Sequence, residues 1–179
     1  KINSVLFQAH NKIAFCKVKL GDLEGAEKEL QKSLKIQPDD HTTLKYLGSV
    51  FLEDKKYKEA KFYLDSAKFF LKDDPELIFL SGRLKLETKD YKGALGEFNN
   101  CIFQKENFGE AYFKRGVTYL LLKNYPLVVR DINKGFEYIP NDTTNLEAYY
   151  ARAEAAFEIG DFNLAVKDYS SVLKQEPKN

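Results

Sequence analysis

A metal centre or a catalytic site needs titratable side chains that converge, and the residue types and spacings here offer little of either. The two histidines, His10 and His41, have no Cys or acid at ligand spacing, so they predict no metal. The string GALG at 93–96 has the Gly-x-x-G spacing of a phosphate cradle. It opens a helical segment with no strand before it and no Lys-Ser or Lys-Thr partner, so phosphate binding is discarded. NDT at 141–143 is a formal glycosylation acceptor on a predicted loop, and it is read as a longer polar connection. Lys55, Lys56, Lys58 and Lys61 cluster, yet Glu53, Asp54 and Glu59 are interleaved with them. That pattern describes a solvated helix face rather than a nucleic-acid patch. No catalytic residue, metal or cofactor follows, and the chain reads as a non-enzyme.

Composition narrows the partners further. With 44% apolar and 14% aromatic residues, a chain of 179 residues can bury one core. The 28 Lys and Arg against 27 Asp and Glu leave a net charge of +1, so no global field points to nucleic acid or an anionic membrane. No apolar run approaches the roughly 20 residues of a membrane span, and the opening KINSVLFQAH lacks the pattern of a signal peptide. A soluble chain is expected. Because it starts at Lys1 and contains no Met, it is expected to be an excised segment or a processed chain, which leaves its localisation weakly constrained. Two cysteines tilt the reading towards a reducing, cytoplasmic compartment, with periplasmic or exported locations left open.

The elements that position these residues follow from an internal repeat. GDLEGAEKELQKSLKIQPDD at 21–40 returns as GDFNLAVKDYSSVLKQEPKN at 160–179, and the same phrase recurs at 54–67, 89–101 and 123–135. Aligned on one small residue, the copies give Ala26, Ala60, Ala94, Val128 and Ala165, spaced by 34, 34, 34 and 37 residues. A period near 34 signals stacked helical hairpins. A bulky residue stands before each of these: Leu23, Tyr57, Tyr91, Tyr125 and Phe162. Earlier in each unit come Ala14, Gly48, Gly82, Gly116 and Ala153, small residues that let two helices approach closely. Apolar residues recur at three and four, as in Leu44, Leu47, Val50 and Phe51. Polar or Gly-containing pairs separate the helices, and Pro126 falls in the first turn of one of them. Asp74 is read as an N-cap before Pro75, and Thr144 with Glu147 as a capping box. Cys16 and Cys101 fall in columns of small or apolar residues and are read as buried fillers. Arg115 and Arg152 appear in the same two repeats as Asp131 and Asp168. Either Arg152 reaches Asp131 across the repeat boundary or each Arg takes its own repeat's Asp, giving a partly buried pair that sets the stacking angle.

These five copies resemble the tetratricopeptide repeat over about residues 7–179, with units at about 7–40, 41–74, 75–108, 109–145 and 146–179 of a single domain. The resemblance implies an all-α, right-handed superhelix, an α-solenoid of five antiparallel helix pairs with a concave groove lined by the first helices. Departures are His10 and Lys17 where bulky apolar residues are usual, Val128 for Ala, and three extra residues, TTN, at 143–145. Family geometry places the second, fifth, sixth, ninth and twelfth residues of each first helix in the groove. The fifth places read Asn11, Lys45, Phe79, Phe113 and Tyr150; the sixth Lys12, Tyr46, Leu80, Lys114 and Ala151. The ninth read Phe15, Ser49, Arg83, Val117 and Glu154; the twelfth Val18, Leu52, Leu86, Leu120 and Phe157. Acids follow at Glu53, Glu87 and Glu158. The basic clamp by which some family members grip chaperone C-termini is not supplied, since its places hold Lys45, Ser49, Leu80, Glu110 and Lys114, or, one repeat earlier, Asn11, Phe15, Tyr46, Glu76 and Leu80.

The expectation is a scaffold that holds a peptide or helix of another protein against Tyr46, Phe79, Leu80, Arg83, Phe113, Lys114, Val117, Tyr150, Glu154 and Phe157. Phe79, Phe113 and Tyr150 are expected to stand in a row as aromatic anchors. The rival readings are a structural array that associates end to end through the outer face of the last helix, at Val172 and Leu173, and an accessory subunit of an enzyme complex.

Overall fold

A computed structural model describes residues 2–140 and 144–174. Among the described residues all regular structure is helical, in ten helices: α1 (Ile2–Lys19), α2 (Leu23–Ile36), α3 (His41–Glu53), α4 (Tyr57–Lys68), α5 (Pro75–Glu87), α6 (Tyr91–Gln104), α7 (Gly109–Leu121), α8 (Tyr125–Tyr138), α9 (Leu146–Glu158) and α10 (Phe162–Leu173). The chain forms two compact units, 1–84 and 85–179, and the boundary falls inside α5.

One turn geometry is written five times. Gly21, Lys55, Lys89, Lys123 and Gly160 each have φ between 57° and 83°, the left-handed region, at the turn between first and second helix. In every copy the N–H of that residue donates to a carbonyl three residues back, and the next N–H reaches a carbonyl five back; Lys89 to Leu86 and Asp90 to Lys85 are one example. This double bond satisfies carbonyls that the helix end leaves without partners. The following residue caps the second helix: Asp22, Asp90 and Asp161 accept from the backbone N–H of Gly25, Gly93 and Leu164.

First-helix caps also follow from the sequence. Asp74 accepts from the N–H of Leu77 at 2.7 Å, as expected. The cap of α9 is Asn145 rather than Thr144, because Asn145 Oδ1 accepts from Ala148 N–H at 3.1 Å and the helix therefore starts at Leu146. The sequon NDT at 141–143 lies outside the described residues.

Small residues set the spacing within hairpins. A Cβ on Gly48 would lie 2.5 Å from Leu64 Cδ2, and one on Gly116 would lie 2.7 Å from Ile132 Cδ1. In the first unit Leu30, Leu47, Leu64 and Leu77 form a fully buried core with Ala14, Ala26, Ala60 and Ala67. In the second, Phe113, Val128, Ile132, Ala148, Ala151 and Ala155 do the same, so Val128 fills its place without displacing the pattern. The two polar departures of the first repeat both meet carboxylates: His10 Nδ1 is hydrogen-bonded to Glu29 at 2.6 Å, and Lys17 Nζ pairs with Asp22 at 2.7 Å. Cys101 is buried, as expected of a filler, but Cys16 is exposed, which corrects the expectation that both are buried.

Candidate partner-binding surface

The fifth places of the first helices differ in what covers them, and this decides which candidate residues are open; in the first two repeats they meet the start of the next repeat. Asn11 is buried, with its amide 3.5 Å from Asp40 and its carbonyl accepting from Thr43 Oγ1 at 3.0 Å. Lys45 is buried too, with Nζ 2.6 Å from Glu76 and 3.2 Å from Asp74. Those two acids raise its pKa against the opposing effect of burial. Phe113 is only 3% exposed and packs edge-on against Phe136, with ring centroids 4.9 Å apart, over Gly135. Its burial contradicts the expected row of three open anchors. Tyr150 alone is half exposed, at 50%, with no further helix over it among the described residues. Phe79 is partly buried.

The remaining candidates divide between core and surface. Leu80 is buried in the core of the first unit, and Val117 packs against that of the second. Arg83 Nη1 binds Glu53 at 2.8 Å, and Lys114 pairs with Glu147 on the neighbouring first helix. Tyr46 and Phe15 together border a pocket of about 650 Å³ between α1 and α3, completed by Phe7, Asn11, Cys16 and Asp40. Phe15 is 56% exposed. In the second unit Phe157 is equally open and meets Phe162 edge-on at 5.8 Å. Glu154 accepts a hydrogen bond from the Tyr169 hydroxyl. The residues missed by sequence reasoning are Phe7 and Tyr169. A column count on first helices could not reach Tyr169, which lies on a second helix.

Two brackets, one buried and one partly buried, hold the hairpins of the second unit in register. Arg115 Nε and Nη2 meet Asp131 at 2.6 and 3.0 Å, and Arg152 meets Asp168 at 2.6 and 2.9 Å. Each Arg therefore takes its own repeat's Asp, and the Arg152–Asp131 alternative does not form; Arg130 shares Asp131 instead, at 3.0 Å. The link across the repeat boundary comes from the third nitrogen. Arg115 Nη1 donates to Asn99 at 2.8 Å and Arg152 Nη1 to Asn133 at 2.6 Å. Both guanidiniums lie over rings, Arg115 on Tyr112 at 5.2 Å and Arg152 on Phe136 at 4.8 Å. A planar group with five donors suits this use, since one face stacks while the edges bind carboxylate and amide. Asn99 and Asn133 stand 34 residues apart, a recurrence visible in the sequence once the Arg column is marked.

Among the described residues no three His, Cys, Asp or Glu side chains converge as metal ligands, and no helix is long and apolar enough to cross a membrane.

Comparison with known proteins agrees with this architecture. A family model described as tetratricopeptide repeat matches residues 7–40, and a second of the same description matches 147–179. Serine/threonine-protein phosphatase 5 of Rattus norvegicus is 27% identical over 93 residues, covering 52% of this chain and 18% of the phosphatase. The chain spans between 16% and 37% of the length of the curated relatives it matches. Among solved structures, the pilF protein of Pseudomonas aeruginosa superposes with a TM-score of 0.84 at 18% identity, covering all of this chain and 80% of that one. YrrB, described as a TPR protein with an unusual peptide-binding site, superposes with a TM-score of 0.66 at 19% identity, covering 95% of this chain and 86% of that one. With the same left-handed turn written five times and family models matching at both ends, the chain carries tetratricopeptide repeats at 7–40 and 147–179, and its ten described helices are consistent with five such repeats.

Proposed function

We propose that the chain is a protein-interaction module that holds a peptide or helix of a partner protein on the faces of its first helices, and we assign it no catalytic step. The observation that carries this reading is the exposure of Phe15, Tyr150 and Phe157, each at least half open, on the helix faces that the hairpins leave uncovered. Phe15 stands beside a pocket in the first unit, and Tyr150 and Phe157 lie on one helix of the second; exposed large apolar side chains of this kind mark contact surfaces. The Phe15–Tyr46 pocket has the size to take one large side chain with its neighbours. The described peptide-binding role of YrrB, which shares the fold, supports the same use of it.

A random 12-residue peptide library displayed on phage and selected on the immobilised chain tests this. Selected peptides are expected to shift amide resonances of α1 and α3 or of α7 and α9, and replacing an aromatic they contact with Ala should weaken them about tenfold. A second-helix control, Lys58→Glu with Lys61→Glu, should leave binding unchanged. Resonance shifts confined to second helices would overturn the reading.

One observation favours a second reading. Val129 and Phe136 on α8 pack against the core that α9 helps to form, while Val166 and Leu173, which hold the same places on α10, are 66% and 63% exposed. These residues form a surface for end-to-end association of copies. Light scattering over a range of concentrations checks it, and a constant monomer mass would exclude it.

A further inference from the structure

On the reading that first-helix faces hold a partner peptide, we propose that Tyr150, Glu154 and Tyr169 form a receptor for a lysine or arginine side chain of that partner, beside an apolar residue seated on Phe157. The geometry begins with two rings set at 68° to one another, Tyr150 on α9 and Tyr169 on α10, with centroids 6.1 Å apart. Glu154 lies one turn after Tyr150 and accepts a hydrogen bond from the Tyr169 hydroxyl. That donor is neutral. It fixes the direction of the carboxylate without cancelling its charge.

The charge is also uncompensated. Several carboxylates elsewhere are neutralised by cations within 4 Å, Glu24 by Lys28, Glu76 by Lys45, Glu147 by Lys114 and Asp168 by Arg152. Among the described residues no Lys, Arg or His stands within that distance of Glu154. Glu158, one turn further along the same helix, is close enough to act electrostatically on Tyr169 and adds a second negative charge. Tyr169 is pushed up to about 12 by its burial and by Glu154, and Tyr150 is raised by the same carboxylate, so both rings feel a charged Glu154. A carboxylate held at the hydroxyl end of Tyr169, with the half-exposed ring of Tyr150 beside it, attracts an ammonium or guanidinium through ion pairing and cation–π contact together. It repels an acidic segment. Phe157, three residues after Glu154 and 56% exposed, supplies the apolar contact next to it.

The test uses the same phage-displayed 12-residue library on the intact chain and on its Glu154→Gln form. The wild-type chain should enrich peptides that carry Lys or Arg next to an aromatic or aliphatic residue. A synthetic peptide of the enriched sequence should bind about five- to tenfold more weakly to Glu154→Gln, and to Tyr150→Ala, an exposed position that leaves the helix intact. Its own Lys or Arg replaced by Gln should cost the same factor, and added salt should narrow the difference. Enrichment of sequences without basic residues, or equal binding to Glu154→Gln, would overturn the receptor while leaving first-helix binding in place. No enrichment above uncoated support would overturn the first-helix reading itself and the receptor with it.

Discussion

Arg152 and Asp168 are both buried, and a buried ion pair is worth less than the cost of breaking it. Removing either partner leaves the other desolvated and alone, whereas replacing both with side chains that pack leaves nothing unsatisfied. Repeat two shows which side chains those are, since Leu47 and Tyr63 hold the two places there. Arg152→Leu or Asp168→Tyr alone should therefore cost about 3 to 5 kcal/mol, while the two combined should cost about 1 to 2 kcal/mol. Urea unfolding of the three variants measures the difference, and additive single costs would show that the pair is not coupled. The presence of the pair was legible in the sequence because Arg and Asp enter the same two repeats in register. Its partner choice was not, because both alternatives satisfy the spacing and only the side-chain reach decides. Phe113 marks a similar limit. Helical spacing puts it on a face with Phe79 and Tyr150, but whether that face is covered depends on Gly135 and Phe136, which belong to another helix.

The hairpin turns were legible as polar or Gly-containing pairs, and the structure adds that one residue in each is left-handed. Gly21 and Gly160 take that conformation without cost, but Lys55, Lys89 and Lys123 carry a Cβ there, at φ of 58°, 64° and 57°. A left-handed residue with a side chain is destabilised by about 1 kcal/mol relative to Gly. Lys89→Gly and Lys123→Gly should each raise stability by about 0.5 to 1 kcal/mol, because the turn bonds are made by backbone atoms and survive the change. Thermal melts of the single variants and of the double variant check both the sign and the additivity. A fall in melting temperature would mean that the lysine side chains contribute more than their backbone strain costs. The start of α9 was misplaced by one residue in the sequence reading for a related reason. Thr144 and Asn145 are both competent caps, and the local pattern does not rank them, whereas the amide of Asn145 is the group that meets the Ala148 N–H.

At the scale of the whole chain, a repeat protein has no single long-range core, and each helix is stabilised mainly by its neighbours in sequence. The periodicity therefore made the ten helices readable, since every element is specified by local columns rather than by distant pairings. The same locality predicts how damage spreads. Leu64 is fully buried against Gly48 in the first unit, so Leu64→Ala opens a cavity at the point where α3 and α4 approach most closely. Large-to-small changes of this kind cost about 2 to 5 kcal/mol. If stability is summed from neighbouring hairpins, that loss should appear as faster amide hydrogen exchange through α1 to α4, where the affected core lies. The amides of α9 and α10, whose core is built from Phe113, Ile132 and Ala151 instead, should keep their protection. Exchange followed by mass spectrometry on the full chain resolves the two regions. Equal loss of protection in α9 and α10 would show that the chain unfolds as one cooperative unit, and nearest-neighbour stacking would then be the wrong account of its stability.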